Sequence, residues 1–183
     1  KIVKDQWFLK YSDEHWKSLV KEALLNMTIL PEEARANFLN TVDWLEEKAC
    51  ARKTGMGTPL PWDKDWIVET LSDSTVYMAF YTIAKHINSG KISAEALSPD
   101  VFNLIFYGEG NASSLARKSG IDEKTLKEMQ LEFNYFMPVD FRNSAKELIP
   151  NHLTFYLFQH CALFPREKWP RMIAVNGMIS VEG

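Results

Sequence analysis

Short β-prone runs alternate with long helical patterns along this chain, and that alternation most limits how it can fold. Residues 7–11, 66–69, 139–142 and 171–176 each read as a strand or extended segment. Helical patterns fill the spaces between them. Strands separated by helices favour a parallel sheet flanked by helices, an α/β fold. The order is strand, helices, strand, helix, helical insert, strand, helix, strand. Residues 93–138 form the insert, which is expected to stand outside the sheet.

Local signals set the expected boundaries. Ser12 is the expected cap of the first helix, with His15 at its third position and Trp16, Leu19, Val20 and Ala23 on one face. Pro31, Glu32 and Glu33 open the second, with acids near its positive end. Its face, Ala34, Phe38, Val42 and Leu45, carries it to about Ala49. Residues 54–62 hold two Gly and two Pro and must be a loop. A long apolar helix is predicted over 74–87, closed by Asn88, Ser89 and Gly90. Within the insert, Ser98-Pro99-Asp100 and Asp122-Glu123 start helices, while Gly108, Gly110 and Gly120 break them. Residues 150–163 read as a helix whose Phe155, Tyr156 and Phe158 belong to the core rather than to a base-stacking platform.

Composition narrows the function classes. With 183 residues, 46% apolar and 25% charged, the chain can build one ordinary core. No apolar run approaches the roughly 20 residues that cross a bilayer, and the start lacks a signal peptide's apolar stretch, so a cytoplasmic setting without membrane contact is expected. The first residue is not Met, which suggests a processed or excised piece. Cys50 and Cys161 are far apart and give no zinc pattern, so no metal ligand is assigned. A net charge of −3 argues against this segment being the main docking surface for a phosphate backbone.

Two stretches carry chemistry. In Ser144 to His152 a strand passes through a short turn into a helix, the place where open α/β sheets bind ligands. Small residues at Ser144 and Ala145 permit close approach. A carboxylate such as Glu147 suits two ribose hydroxyls, and His152 lies about a turn and a half further on. A helix cap with a buried histidine is the plainer reading of the same residues. In Glu69 to Tyr77 a strand end enters a helix through hydroxyl and acid side chains, where Ser72 or Asp73 also serves as a cap. In a third, Asp43 to Trp62, Arg52 is suited either to a structural ion pair or to a nucleic-acid phosphate.

Taken together, these stretches resemble the class I aminoacyl-tRNA synthetases, above all leucyl-tRNA synthetases of archaeal and eukaryotic-cytosolic type. Asp43, Trp44, Arg52, Gly57, Pro59 and Pro61 match the Asp-Trp-x-x-Ser-Arg…Gly-x-Pro-x-Pro signature of the leucine, isoleucine and valine group. Lys146, Glu147 and His152 match Gly-Lys-Asp-(x)4-His, with Glu147 for the Asp and Ala145 for the Gly. The resemblance runs from Gln6-Trp7-Phe8 to Gly177.

The resemblance implies a fold, the second half of a Rossmann-like catalytic domain. Residues 1–60 would follow the editing domain, 61–92 would line the amino-acid pocket, 93–138 would be the insert, and 139–183 would form the nucleotide side. It implies that Glu147 holds the adenosine ribose, that His152 contacts the aminoacyl-adenylate, and that Ala145 and Gly177 lie by the nucleotide. Leu71, Ser74 and Tyr77 would face leucine. The strand end at Asn176-Gly177-Met178-Ile179 would precede the mobile Lys-Met-Ser-Lys-Ser loop.

The implied reaction joins leucine and ATP, with Mg2+, into leucyl-adenylate and passes the leucine to tRNA(Leu). His-x-Gly-His and Lys-Met-Ser-Lys-Ser are absent from the sequence, so no catalytic residue is assigned and the segment alone is expected to be inactive. Its partners would include the N-terminal half, editing domain and C-terminal domains of the same protein. A sister synthetase for isoleucine, valine or methionine, and a non-catalytic interaction module, are the alternatives.

Overall fold

Residues 5–177 are described by the structure, a computed structural model. The expectations at Met178 and Ile179, and for the first four residues, lie outside that range. The described chain divides into two compact units, residues 5–76 with 139–177, and residues 77–138.

In the first unit, β1 (Phe8–Lys10) leads to α1 (Glu14–Asn26). Asp13, not Ser12, caps α1: its carboxylate accepts from the Trp16 N–H at 2.9 Å, while the Ser12 hydroxyl is taken up by Glu47 at 2.6 Å. β2 (Thr28–Leu30) follows, a strand not predicted from sequence, then α2 (Ala34–Trp44). α2 ends five residues before the expected Ala49, because Leu45 turns extended and β3 (Glu47–Ala49) pairs antiparallel with β1. β4 (Ala51–Arg52) and β5 (Ile67–Val68) form a second antiparallel pair. The 54–62 loop is pinned to them by Val68 N–H to Thr58 O and Leu60 N–H to Trp66 O, each 2.8 Å, over a small core of Ala51, Leu60 and Trp66. α3 (Thr70–Asp73) ends this half of the unit.

The second unit is helical: α4 (Tyr77–Tyr81), α5 (Ala84–Ile87), α6 (Pro99–Tyr107), α7 (Ala112–Ser119) and α8 (Glu123–Phe136). The single helix predicted over 74–87 is broken into pieces. The hydroxyls of Thr75 and Thr82 bond back to the carbonyls of Ser72 and Ala79, and β-branched Val76 and Ile83 flank them. Such back-bonding and branching weaken a continuous helix. The later signals hold: Ser98 and Asp122 cap α6 and α8, and Gly108 and Gly120 close α6 and α7 at positive φ. Val101, Leu104, Ile105, Leu126, Met129 and Phe133 form this unit's core.

The chain re-enters the first unit at β6 (Arg142–Ala145), three residues later than predicted, so Ser144 and Ala145 lie on the strand rather than in a turn. A 3-10 turn (Lys146–Leu148) and a π turn (Ile149–Leu153) lead into α9 (Thr154–Leu163), which crosses back to β7 (Met172–Asn176). β7 is the centre of a sheet ordered β2-β7-β6, parallel throughout. The predicted parallel α/β class is therefore correct.

α1 and α9 supply the core of this unit. Tyr11 lies stacked between Trp16 (5.1 Å) and Phe155 (5.0 Å), edge-on to Phe158. The Trp16 indole N–H donates to the Phe158 carbonyl at 2.6 Å. Tyr156, Phe158 and Phe38 are fully buried. Each such ring is worth about 1.5–3 kcal/mol of transfer free energy, which explains why an α9 rich in aromatics is core and not a surface platform.

Candidate functional site

β6 and β7 run side by side and end together: Ala145 pairs with Asn176 in the last register position. Glu147 follows β6 by two residues and Gly177 follows β7 by one. The structure thus brings Ala145, Glu147 and Gly177 to the carboxyl edge of a parallel sheet, where open α/β sheets bind ligands. Ala145 has φ −103° and ψ 147°, extended backbone that any residue adopts, so the strand makes no demand for Gly there. A Cβ at Gly177 would meet open space. Glu147 is exposed in the 3-10 turn, its carbonyl accepting from Asn151 Nδ2 at 3.0 Å.

His152 sits half-buried in the π turn, with its Nε2 3.1 Å from Nη2 of Arg142 at the start of β6. Burial, reinforced by the Arg142 charge, holds its pKa below the ordinary histidine value. Arg142 is the residue that sequence reasoning missed. The sequence pattern makes it only the last residue of a strand over 139–142, and nothing in that pattern links it to a histidine ten positions on. Its charge also lowers His160, which is fully buried on α9 and packed on Tyr156 at 4.3 Å and Phe164 at 5.4 Å. Burial pushes His160 down to about 4, against a hydrogen bond to the Thr75 backbone.

The amino-acid-side candidates belong to other elements. Leu71, on α3, is 40% exposed, and Ser74 caps that helix with its N–H on the Thr70 carbonyl at 3.0 Å. Both belong to the first unit. Tyr77 opens α4 in the second unit, its ring 4.9 Å from that of Tyr81.

Arg52 bonds to backbone rather than to a carboxylate among the described residues. Its Nη2 donates to the Met56 carbonyl at 2.7 Å, and the loop closes around the guanidinium at Gly55, φ +101°. Gly57 is needed because a Cβ there would lie 2.4 Å from Ile67 Cγ2. Arg52 and Gly57 of the signature, with Gly55 between them, therefore serve loop shape. Among the described residues no three His, Cys, Asp or Glu side chains converge as a metal site, and no helix is long and apolar enough to cross a membrane.

A parallel α/β sheet with an acid and small residues at its carboxyl edge has the architecture in which open α/β folds bind ligands. No family model matches the chain. Known proteins match it from end to end: it is 55% identical over all 183 residues to the leucine–tRNA ligase of Methanococcus maripaludis and 50% to that of Pyrobaculum calidifontis. It is 52% identical over 190 aligned residues to the leucine–tRNA ligase of Pyrococcus furiosus. The chain spans about a fifth of the length of these relatives, 19–20%. Along its whole length the chain is similar to one segment of archaeal leucine–tRNA ligases, the resemblance that its motifs carry.

Proposed function

We propose that the chain is the nucleotide-side and amino-acid-side segment of a leucine–tRNA ligase that makes leucyl-adenylate from leucine and ATP and transfers leucine to tRNA(Leu). One observation carries this: Glu147 and Gly177 follow the carboxyl ends of adjacent parallel strands, in a chain about half identical to leucine–tRNA ligases throughout. Glu147 accepts hydrogen bonds from the ribose hydroxyls, and Ala145 and Gly177 leave room for the nucleotide. His152 meets the aminoacyl-adenylate. Leu71 and Ser74, both of the first unit, face the leucine side chain, and residues 139–183 form the nucleotide side. Residues 1–60 connect to an editing domain and 93–138 are a helical insert.

The segment contributes binding and orientation. Adenylation requires in-line attack of the leucine carboxylate on the α-phosphate, so alignment of the two substrates lowers the barrier without a covalent protein nucleophile. Mg2+ enters with ATP as part of the substrate. The other partners are the remaining parts of the same protein, and the setting is the cytoplasm. In the full-length protein, Glu147→Ala is expected to raise the KM for ATP about tenfold or more, the worth of a charge-assisted hydrogen bond. Unchanged leucine-dependent ATP–pyrophosphate exchange in that variant would instead favour a non-catalytic interaction module.

A further inference from the structure

The contact between Arg142 and His152 fixes a chemical property of the ring. A guanidinium has only donors, so the 3.1 Å contact from Nη2 makes His152 Nε2 the acceptor. An accepting Nε2 carries no proton, and a neutral imidazole then carries its proton on Nδ1. Burial and the Arg142 charge both disfavour the imidazolium. Nδ1 meets no protein group among the described residues, whereas the His152 backbone N–H is already satisfied by Asn151 Oδ1 at 2.6 Å. The ring therefore has one N–H, at Nδ1, and no lone pair left to accept with.

We propose that Arg142 is a positioning residue that holds His152 in the Nδ1-protonated form, so that the ligand atom His152 meets is an acceptor oxygen of the carboxyl or phosphate moiety, not the α-ammonium. This rests on the reading that His152 contacts the aminoacyl-adenylate. An α-ammonium needs an acceptor, which a ring in this state does not present. The inverse tautomer would present a lone pair at Nδ1 and repel a carboxylate or phosphate oxygen.

The test is leucine-dependent ATP–pyrophosphate exchange in the full-length protein. The amide N–H of Asn stands near the position of histidine Nδ1, and that of Gln near Nε2. His152→Asn is expected to keep at least about tenfold more kcat/KM than His152→Gln, the scale on which an orienting contact acts. Arg142→Met is expected to lower kcat/KM by about tenfold in the native background but less than about twofold when added to His152→Asn, because Asn has no tautomer to be set. Arg142→Gln, which keeps a donor, is expected to restore most of the loss. A rise in KM confined to leucine assigns the oxygen to the carboxyl; one confined to ATP assigns it to the phosphate. Equal losses from Arg142→Met in both backgrounds, or better activity from His152→Gln than from His152→Asn, would overturn the proposal. Should Arg142→Met not fold, the order of the two His152 variants decides the matter. If His152→Ala loses nothing, the site reading itself fails, a result distinct from the loss of coupling.

Discussion

Gly55 lies so close to Arg52 that a Cβ on it would stand 2.6 Å from Nη1, and its backbone is at φ +101°. The loop is thus shaped around the guanidinium by a residue with no side chain. Gly55→Ala is expected to destabilise the first unit by about 1–2 kcal/mol, the cost of forcing an L residue into positive φ. Thermal unfolding checks this, and an unchanged melting temperature would show that the loop contributes nothing to the fold.

His160 makes stability depend on pH. Its folded-state pKa, about 4, lies below the ordinary value of 6.5. The unfolded chain therefore binds the extra proton first as pH falls. The stabilisation is fully present above pH 6.5 and is lost progressively down to about 4. The loss amounts to about 3 kcal/mol at 1.36 kcal/mol per pH unit. Denaturant unfolding at pH 7 and pH 4 reads it, and His160→Gln should flatten the difference. An equal acid loss in the variant would place the titration elsewhere.

Phe133 is fully buried on α8, with Phe106 4.9 Å away in the same unit. Phe133→Ala is expected to cost about 3–5 kcal/mol, the range for a large ring removed from a core. Hydrogen exchange should show lost protection across residues 99–136. A cost below about 1 kcal/mol would mean that this unit has no well-packed core.

The segment by itself should form no leucyl-tRNA, because its sequence contains neither of the two phosphate-handling motifs of the family it resembles. Aminoacylation by the 183-residue chain would contradict that division of labour.

Legibility in the sequence followed locality. The caps at Ser98 and Asp122 and the glycine closures at Gly108 and Gly120 were readable because each depends on a few neighbouring atoms. β2 was not, since Thr28–Leu30 is too short for a periodic signal and becomes a strand by pairing with Met172–Ala174 far along the chain. α2 stops early for the same reason, its expected last turn being claimed by β1. Of the candidates, Ala145, Glu147, His152 and Gly177 come from motif and resemblance, and the sheet brings Ala145, Glu147 and Gly177 to one edge. Arg142 was not found, because its pairing with His152 depends on how the π turn folds back over β6.

The central claim is that this chain is the leucine- and nucleotide-side segment of a leucine–tRNA ligase. Amino-acid-dependent ATP–pyrophosphate exchange by the full-length protein, run with all twenty amino acids, tests it most directly. The account predicts exchange with leucine, and a raised leucine KM when Leu71 is replaced by Ala. Exchange with a different amino acid, or with none, would contradict it.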